Sequence, residues 1–156
     1  MQEERLCAAM MTRREVASDG EEGLLMTGQA RHQANARAAL GSAGERLAAG
    51  WLEARGFRVL AHNWHCAYGE LDIIAEEQGE LVFVEVKSRR GVGYGAPEEA
   101  ITARKRAHLI AAAQSYLAEY QREQQPYRID VVAVQLDSQG RLTDIRHYRS
   151  AIAQEE

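Results

Sequence analysis

The chain lacks most of the features that would assign it to a class on composition alone. Of 156 residues only two are cysteine, Cys7 and Cys66, far apart in the sequence. No disulfide framework is therefore expected, and a reducing compartment, the cytoplasm, is the default location. No stretch approaches the roughly 18 apolar residues that a membrane-spanning helix needs. The N-terminal residues also lack the basic lead and apolar core of a signal peptide, so no membrane association is expected. Basic residues are not in excess: 19 Lys and Arg stand against 23 Asp and Glu, for a net charge of −4. Contact with nucleic acid would have to rest on a local patch. His62, His65 and Cys66 lie close together, but no second cluster completes a four-ligand zinc set, and they read as incidental.

What is present is a 46% hydrophobic composition, enough for the core of one domain, and one informative stretch, Gly69 to Lys87 (GELDIIAEEQGELVFVEVK). Its strict alternation reads as two strands. Leu71, Ile73 and Ala75 share one face, and Glu70, Asp72 and Ile74 the other. On the second strand Leu81 and Phe83 go with Glu85 and Lys87, opposite Val82, Val84 and Val86. Gln78-Gly79 supplies a tight turn that pairs Glu77 with Glu80. That register sets Asp72 opposite Glu85 and Glu70 opposite Lys87. Like charges facing each other destabilise a sheet, so the pair of carboxylates points to a divalent cation between them. A solvated charged face of an antiparallel sheet would carry similar residues, and the two readings stay open on the residues alone.

Around the hairpin, residues 1–40 show no sustained period and read as a flexible tail, with 41–150 as the domain and 151–156 as a C-terminal tail. Ser42 and Glu45 have capping-box spacing ahead of Leu47, Ala48, Trp51 and Leu52, predicting a helix that Gly56 ends. Phe57 to Ala61 reads as a strand and His62 to Tyr68 as a connection. The glycine-rich run after Lys87 predicts a loop. Its Gly91-x-Gly93-x-x-Ala96 imitates a dinucleotide fingerprint, but it follows a charged hairpin and precedes Pro97 rather than opening a first βαβ unit. Pro97, Glu98 and Glu99 predict the start of a long helix with an apolar stripe of Ala103, Ala107, Ile110, Leu117 and Tyr120. Arg128 to Gln135 reads as an interior strand and Leu142 to Tyr148 as the last one, after a turn at Asp137 to Gly140. A right-handed crossover would set the fourth strand parallel to the third in a mixed sheet flanked by helices.

This αβββαβ order, with an acidic residue on the second strand and Glu-x-Lys on the third, resembles the PD-(D/E)xK restriction-endonuclease-like superfamily. More narrowly, GERLAAGWLEARGF, GELDIIA, VFVEVKSRR, the AITARKR helix and YRIDVVAV are similar to the YraN-like family within it. The resemblance implies an α/β fold of restriction-endonuclease type and a metal-dependent nuclease acting on nucleic acid, DNA in the first instance. It implies Asp72 and Glu85 as metal-binding carboxylates, Lys87 as the catalytic lysine and Glu45 as the acidic residue of the first helix. Leu71 stands where the nominal motif has proline. The cation would be Mg²⁺ or Mn²⁺, to which the Val86 carbonyl could add a ligand. For Glu45 the capping box with Ser42 is an equally complete explanation.

Nucleic-acid contact is expected from Arg89, Arg90 and Tyr94 on the loop and from Arg104, Lys105 and Arg106 at the helix start. Together these make a locally basic window in an acidic chain. The alternative is a non-catalytic nucleic-acid-binding or assembly module that keeps the nuclease fold. Oligomeric state is left open.

Overall fold

The computed structural model describes residues 28–91 and 101–152. In chain order the elements are α1 (Gly28–Glu53), β1 (Arg58–Cys66), β2 (Gly69–Glu77), β3 (Glu80–Arg90), α2 (Ala103–Glu119), β4 (Tyr127–Leu136) and β5 (Leu142–Ile152). The five strands lie in one sheet in the order β1-β2-β3-β4-β5, with β3 in the centre. β3 and β4 are parallel, and every other neighbouring pair is antiparallel. This is the expected mixed α/β sheet, with all five expected strands in it.

The turn between β2 and β3 forms as its residues predict. Gln78 and Gly79 both take positive φ, +51° and +85°, the conformation that matches the twist of a two-residue hairpin. The register runs from Glu77↔Glu80 to Ile73↔Val84.

Each face of the sheet carries its own core. Ala48, Ala49 and Leu52 of α1 pack with Ile73, Ala75, Val82, Val84, Val132 and Val134. Leu109, Ala112, Ala113, Tyr116 and Leu117 of α2 pack on Ile74, Leu81, Phe83, Ile129 and Val131. The i, i+3, i+4, i+7, i+8 spacing of that α2 set is a helical stripe. It is rotated from the expected one, since Ala103, Ala107 and Tyr120 are exposed.

Several boundaries also differ. Helix α1 begins at Gly28, well before Ser42, so Ser42 lies inside it and accepts a 2.9 Å hydrogen bond from Arg46 Nη1 instead of capping the helix. An alanine-rich segment holds helix on propensity even where residues 31–39 are wholly exposed. β1 runs on to Cys66 through the segment expected as a connection, leaving only Ala67 and Tyr68 in the turn. α2 starts at Ala103 behind the N-cap Thr102, whose hydroxyl accepts from Lys105 N at 3.1 Å. The expected start at Pro97 with Glu98 and Glu99 lies outside the described residues. β5 continues to Ile152, which is buried, so the strand passes the boundary expected at residue 150.

One buried polar assembly has no counterpart in the sequence pattern. Asp130, fully buried on the interior strand β4, takes both oxygens to Arg128 Nε at 3.1 Å, accepts from the Ser150 amide at 2.8 Å and meets His147 Nε2 at 2.8 Å. Arg128 also pairs with Glu77 and Glu80 of the β2–β3 turn. Trp51 and Phe57 meet the His147 ring edge to face. These bonds hold β5 to β4 at the break in their register between Ile129 and Val131, and add side-chain links from β4 to the β2–β3 turn.

Removing one partner of a buried ionic set strands the others. Asp130→Ala is expected to cost about 3–5 kcal/mol by denaturant midpoint, whereas Arg149→Ala, at an exposed partner of Glu77, is expected to cost under about 1 kcal/mol. Equal effects of the two would contradict a buried keystone at Asp130.

Candidate metal centre

The β2–β3 hairpin departs from regularity at the residue that matters most. Continued past Ile73↔Val84, the register would aim the Val86 amide at the backbone of Leu71. Instead it donates to Asp72 Oδ2 at 2.7 Å. On the other side of β2, the register of β1 sets Asn63 opposite Asp72, and Asn63 has φ +48°. A left-handed residue inside a strand breaks the two-residue alternation. Ile73 accordingly packs under α1 while Leu71, paired with Trp64, packs under α2. The shared face expected for Leu71, Ile73 and Ala75 therefore holds only for the last two.

Asp72 and Glu85 end up as buried carboxylates, 7% and 4% exposed, on neighbouring central strands. Burial first, and then the charge of Glu85, push the Asp72 carboxyl from its ordinary 3.8 up to about 7. The Val86 amide pulls the other way, Glu45 adds to the rise, and Lys105 opposes it least. Glu85 is better compensated. Lys87 Nζ lies 2.9 Å from its Oε1, and Lys105 Nζ, reaching over from α2, lies 3.1 Å from its Oε2. The second contact is an ion pair without hydrogen-bond geometry, and Oε2 is buried with no hydrogen-bond partner. The expected pairing of Glu70 with Lys87 is replaced: Glu70 meets His65 Nδ1 at 3.5 Å, and Lys87 turns to Glu85.

Glu45 sits half-buried on α1, next to Gly44. A Cβ at Gly44 would fall 1.6 Å from Ser88 Oγ, so only glycine lets α1 come this close to β3 beside Lys87. With Ser42 inside the helix, the capping box no longer accounts for Glu45.

Other expected residues scatter. Val86 enters the site through its amide. Arg89 and Arg90 are the last residues of β3 rather than part of a loop. Arg104 and Arg106 are exposed in the first turn of α2, with Lys105 between them turned inward to Glu85. Tyr94 lies outside the described residues. Lys105 is the site residue whose role the sequence did not disclose, because a basic triplet at a helix start gives no sign of which member faces the sheet.

The donor set fits a hard divalent cation that keeps most of its waters. Mg²⁺ takes one or two carboxylates rather than a full protein cage. A carboxyl raised to about 7 by burial and by a neighbouring carboxylate is a group whose charged form a cation would favour, while Glu85 already meets Lys87 and Lys105. Among the described residues no group of three or more His, Cys, Asp or Glu side chains converges as a cage, so a structural zinc-type site does not fit.

Taken together, the sheet order, the crossover and the carboxylate–lysine constellation define an α/β protein of the restriction-endonuclease-like kind in fold. The chain belongs to the family described as "Uncharacterised protein family UPF0102", which matches residues 44–134, a span that contains Glu45, Asp72, Glu85, Lys87 and Lys105. This is the YraN-like family to which the motifs pointed. A UPF0102 protein of Roseiflexus castenholzii is 45% identical, over 74% of this chain and 94% of its own length. Another, from Symbiobacterium thermophilum, is 50% identical over 66% of this chain and 87% of its own length. A third, from Pelotomaculum thermopropionicum, is 42% identical over 76% and 98% respectively.

The raised Asp72 carboxyl has a signed consequence for the metal-free protein. Between the ordinary 3.8 and about 7, the folded state holds a proton that the unfolded state has released, so stability falls as pH rises through this window and levels off above it. Relative to Asp72→Asn, which keeps an acceptor for the Val86 amide, the wild type in EDTA is expected to match at pH about 4 and to be the less stable protein above pH about 7. Asp72→Ala, which strands that amide, is expected to cost about 1–3 kcal/mol at low pH as well. A wild type that gains on Asp72→Asn as pH rises would contradict the assignment.

Proposed function

We propose that this protein is a metal-dependent nuclease that hydrolyses phosphodiester bonds in nucleic acid, DNA in the first instance, using Mg²⁺ or Mn²⁺ held by Asp72 and Glu85. The observation that carries this reading is the buried pair itself. Two carboxylates share the centre of the sheet, one of them pushed to about 7 by burial and by the other, beside a lysine 2.9 Å from Glu85. Perturbed acids of this kind mark functional sites more often than structural ones.

A bound divalent ion would lower the pKa of a water it holds and offset the negative charge of the phosphate. The chain's own residues do the rest. Asp72, fixed by the Val86 amide, and Glu85 would hold the ion, and the Val86 carbonyl would add a ligand. Lys87 holds the attacking water or an equatorial phosphate oxygen as a compact cation with three donors. Water adds to phosphorus and gives up a proton to solvent, the P–O bond on the opposite side breaks, and the leaving oxygen takes up a proton from solvent. Glu45, whose charge is felt at Asp72, extends the acidic side of the site from α1. Lys105, 3.1 Å from Glu85 Oε2, would be a second cation within reach of a substrate phosphate.

One observation favours a second reading. Lys87 and Lys105 already contact both oxygens of Glu85, which suits a non-catalytic nucleic-acid-binding or assembly module. A cleavage screen separates the two. Junction, flap, single-stranded and duplex DNA, and RNA, are incubated with the protein in Mg²⁺ or Mn²⁺. Cleavage is expected, stopped by EDTA and lowered at least ~100-fold by Glu85→Gln or Lys87→Ala. Binding that survives EDTA, with no substrate cut, would leave the module.

A further inference from the structure

A cavity of about 300 Å³ opens beside the carboxylate site, between the tip of the β1–β2 hairpin and the first turns of α2. His65, Tyr68 and Glu70 line it from the hairpin, and Lys105, His108 and Leu109 from the helix. The three helix residues stand at i, i+3 and i+4, one face of a helix. Lys105 belongs to both places, since it lines the cavity while its ammonium lies 3.1 Å from Glu85 Oε2. The cavity therefore begins where the proposed hydrolytic site ends.

Its chemistry is that of a base-binding seat. Buried Leu109 gives an apolar floor. His65, His108 and Tyr68 bring three rings to its lining, and Tyr68, at 54% exposure, is the most exposed of the large apolar side chains among the described residues. An aromatic ring left open to water at the rim of a pocket is a stacking platform for nucleobases. Glu70 offers a hydrogen-bond acceptor, with His65 Nδ1 3.5 Å from it. A metal does not suit the cavity despite His65, Cys66 and His108, because among the described residues no such set converges for one.

We propose that this cavity receives one unpaired base of the substrate strand, next to the scissile phosphate, so that the protein selects single-stranded or unpaired nucleotides over intact duplex. The inference rests on the nucleic-acid reading above and narrows it. In a duplex every base is stacked and paired, and bringing one into a side pocket costs a few kcal/mol of unstacking. A strand end, flap or gap meets no such cost. Lys105 then lies at the cavity wall nearest Glu85, where the phosphate attached to the seated base would pass.

The test uses the full chain, with Ca²⁺ in place of Mg²⁺ during binding. Fluorescence anisotropy measures affinity for a single-stranded oligonucleotide, a blunt duplex of the same sequence, and that duplex with a single-nucleotide flap. The wild type is expected to bind the strand and the flap at least about 10-fold more tightly than the blunt duplex. Tyr68→Ala and His108→Ala are expected to lose about 5- to 100-fold on the strand and flap, as loss of one stacking contact does. Both should leave the duplex unchanged, and Tyr68→Phe should retain wild-type affinity. Equal affinity for all three nucleic acids, or losses in the two variants that are equal on duplex and strand, would overturn the pocket. Cleavage in Mg²⁺ separates the two readings. Tyr68-dependent binding with no cleavage of any substrate keeps the pocket and removes the nuclease, whereas Glu85-dependent cleavage indifferent to Tyr68 and His108 does the reverse.

Discussion

The hydrogen bond from the Val86 amide to Asp72 Oδ2, 2.7 Å long, is the contact on which the rest of the site depends. It takes the place of a backbone bond that the continuing hairpin would make, and so parts β2 from β3 at the point where a carboxylate is needed between them. An amide donor favours the charged form of Asp72, while burial and Glu85 favour the neutral one. The second pair of effects wins, leaving a carboxyl near neutrality in the middle of a sheet. A structure selected for stability alone has cheaper residues for that position.

The surrounding elements are arranged to hold that unstable pair in place. The hydrophobic layers on both faces, under α1 and α2, supply the apolar burial, and each helix also contributes one charged residue, Glu45 or Lys105, toward the pair. Gly44 lets α1 approach closely, and the left-handed Asn63 shifts the alternation of β1 opposite Asp72. At the other end of the hairpin the buried Asp130–Arg128 set clamps the turn through Glu77 and Glu80. Rigid support at one end and an opened ladder at the other are consistent with a site whose geometry must be fixed before its ligand arrives.

What was legible in the sequence follows from how local each signal is. The turn at Gln78-Gly79 and the alternation of the third strand are local, and both formed as read, as did the parallel pairing of β3 with β4 across the helical crossover. The end of the ladder at Asp72 was not legible, because it depends on a side chain replacing a backbone acceptor and on an asparagine in an adjacent strand. The stripe of α2 was read one step out of phase because alanines on both faces blur the pattern, and Leu109 and Tyr116 set the true face. Ser42 and Glu45 carry a capping signature that a longer alanine-rich helix overrides. Asp130 looked like a lone polar residue in an apolar strand, since its partners Arg128 and His147 acquire meaning only once β4 and β5 are paired.

Divalent-cation binding by Asp72 and Glu85 is tested most directly by calorimetric titration of the full chain with Mn²⁺, at pH 6 and at pH 8. One site per chain is expected, tighter at pH 8 because binding requires Asp72 to give up the proton it holds up to about 7. Binding should be absent in Glu85→Gln. Binding that is equally tight at both pH values, or that survives in Glu85→Gln, would contradict it.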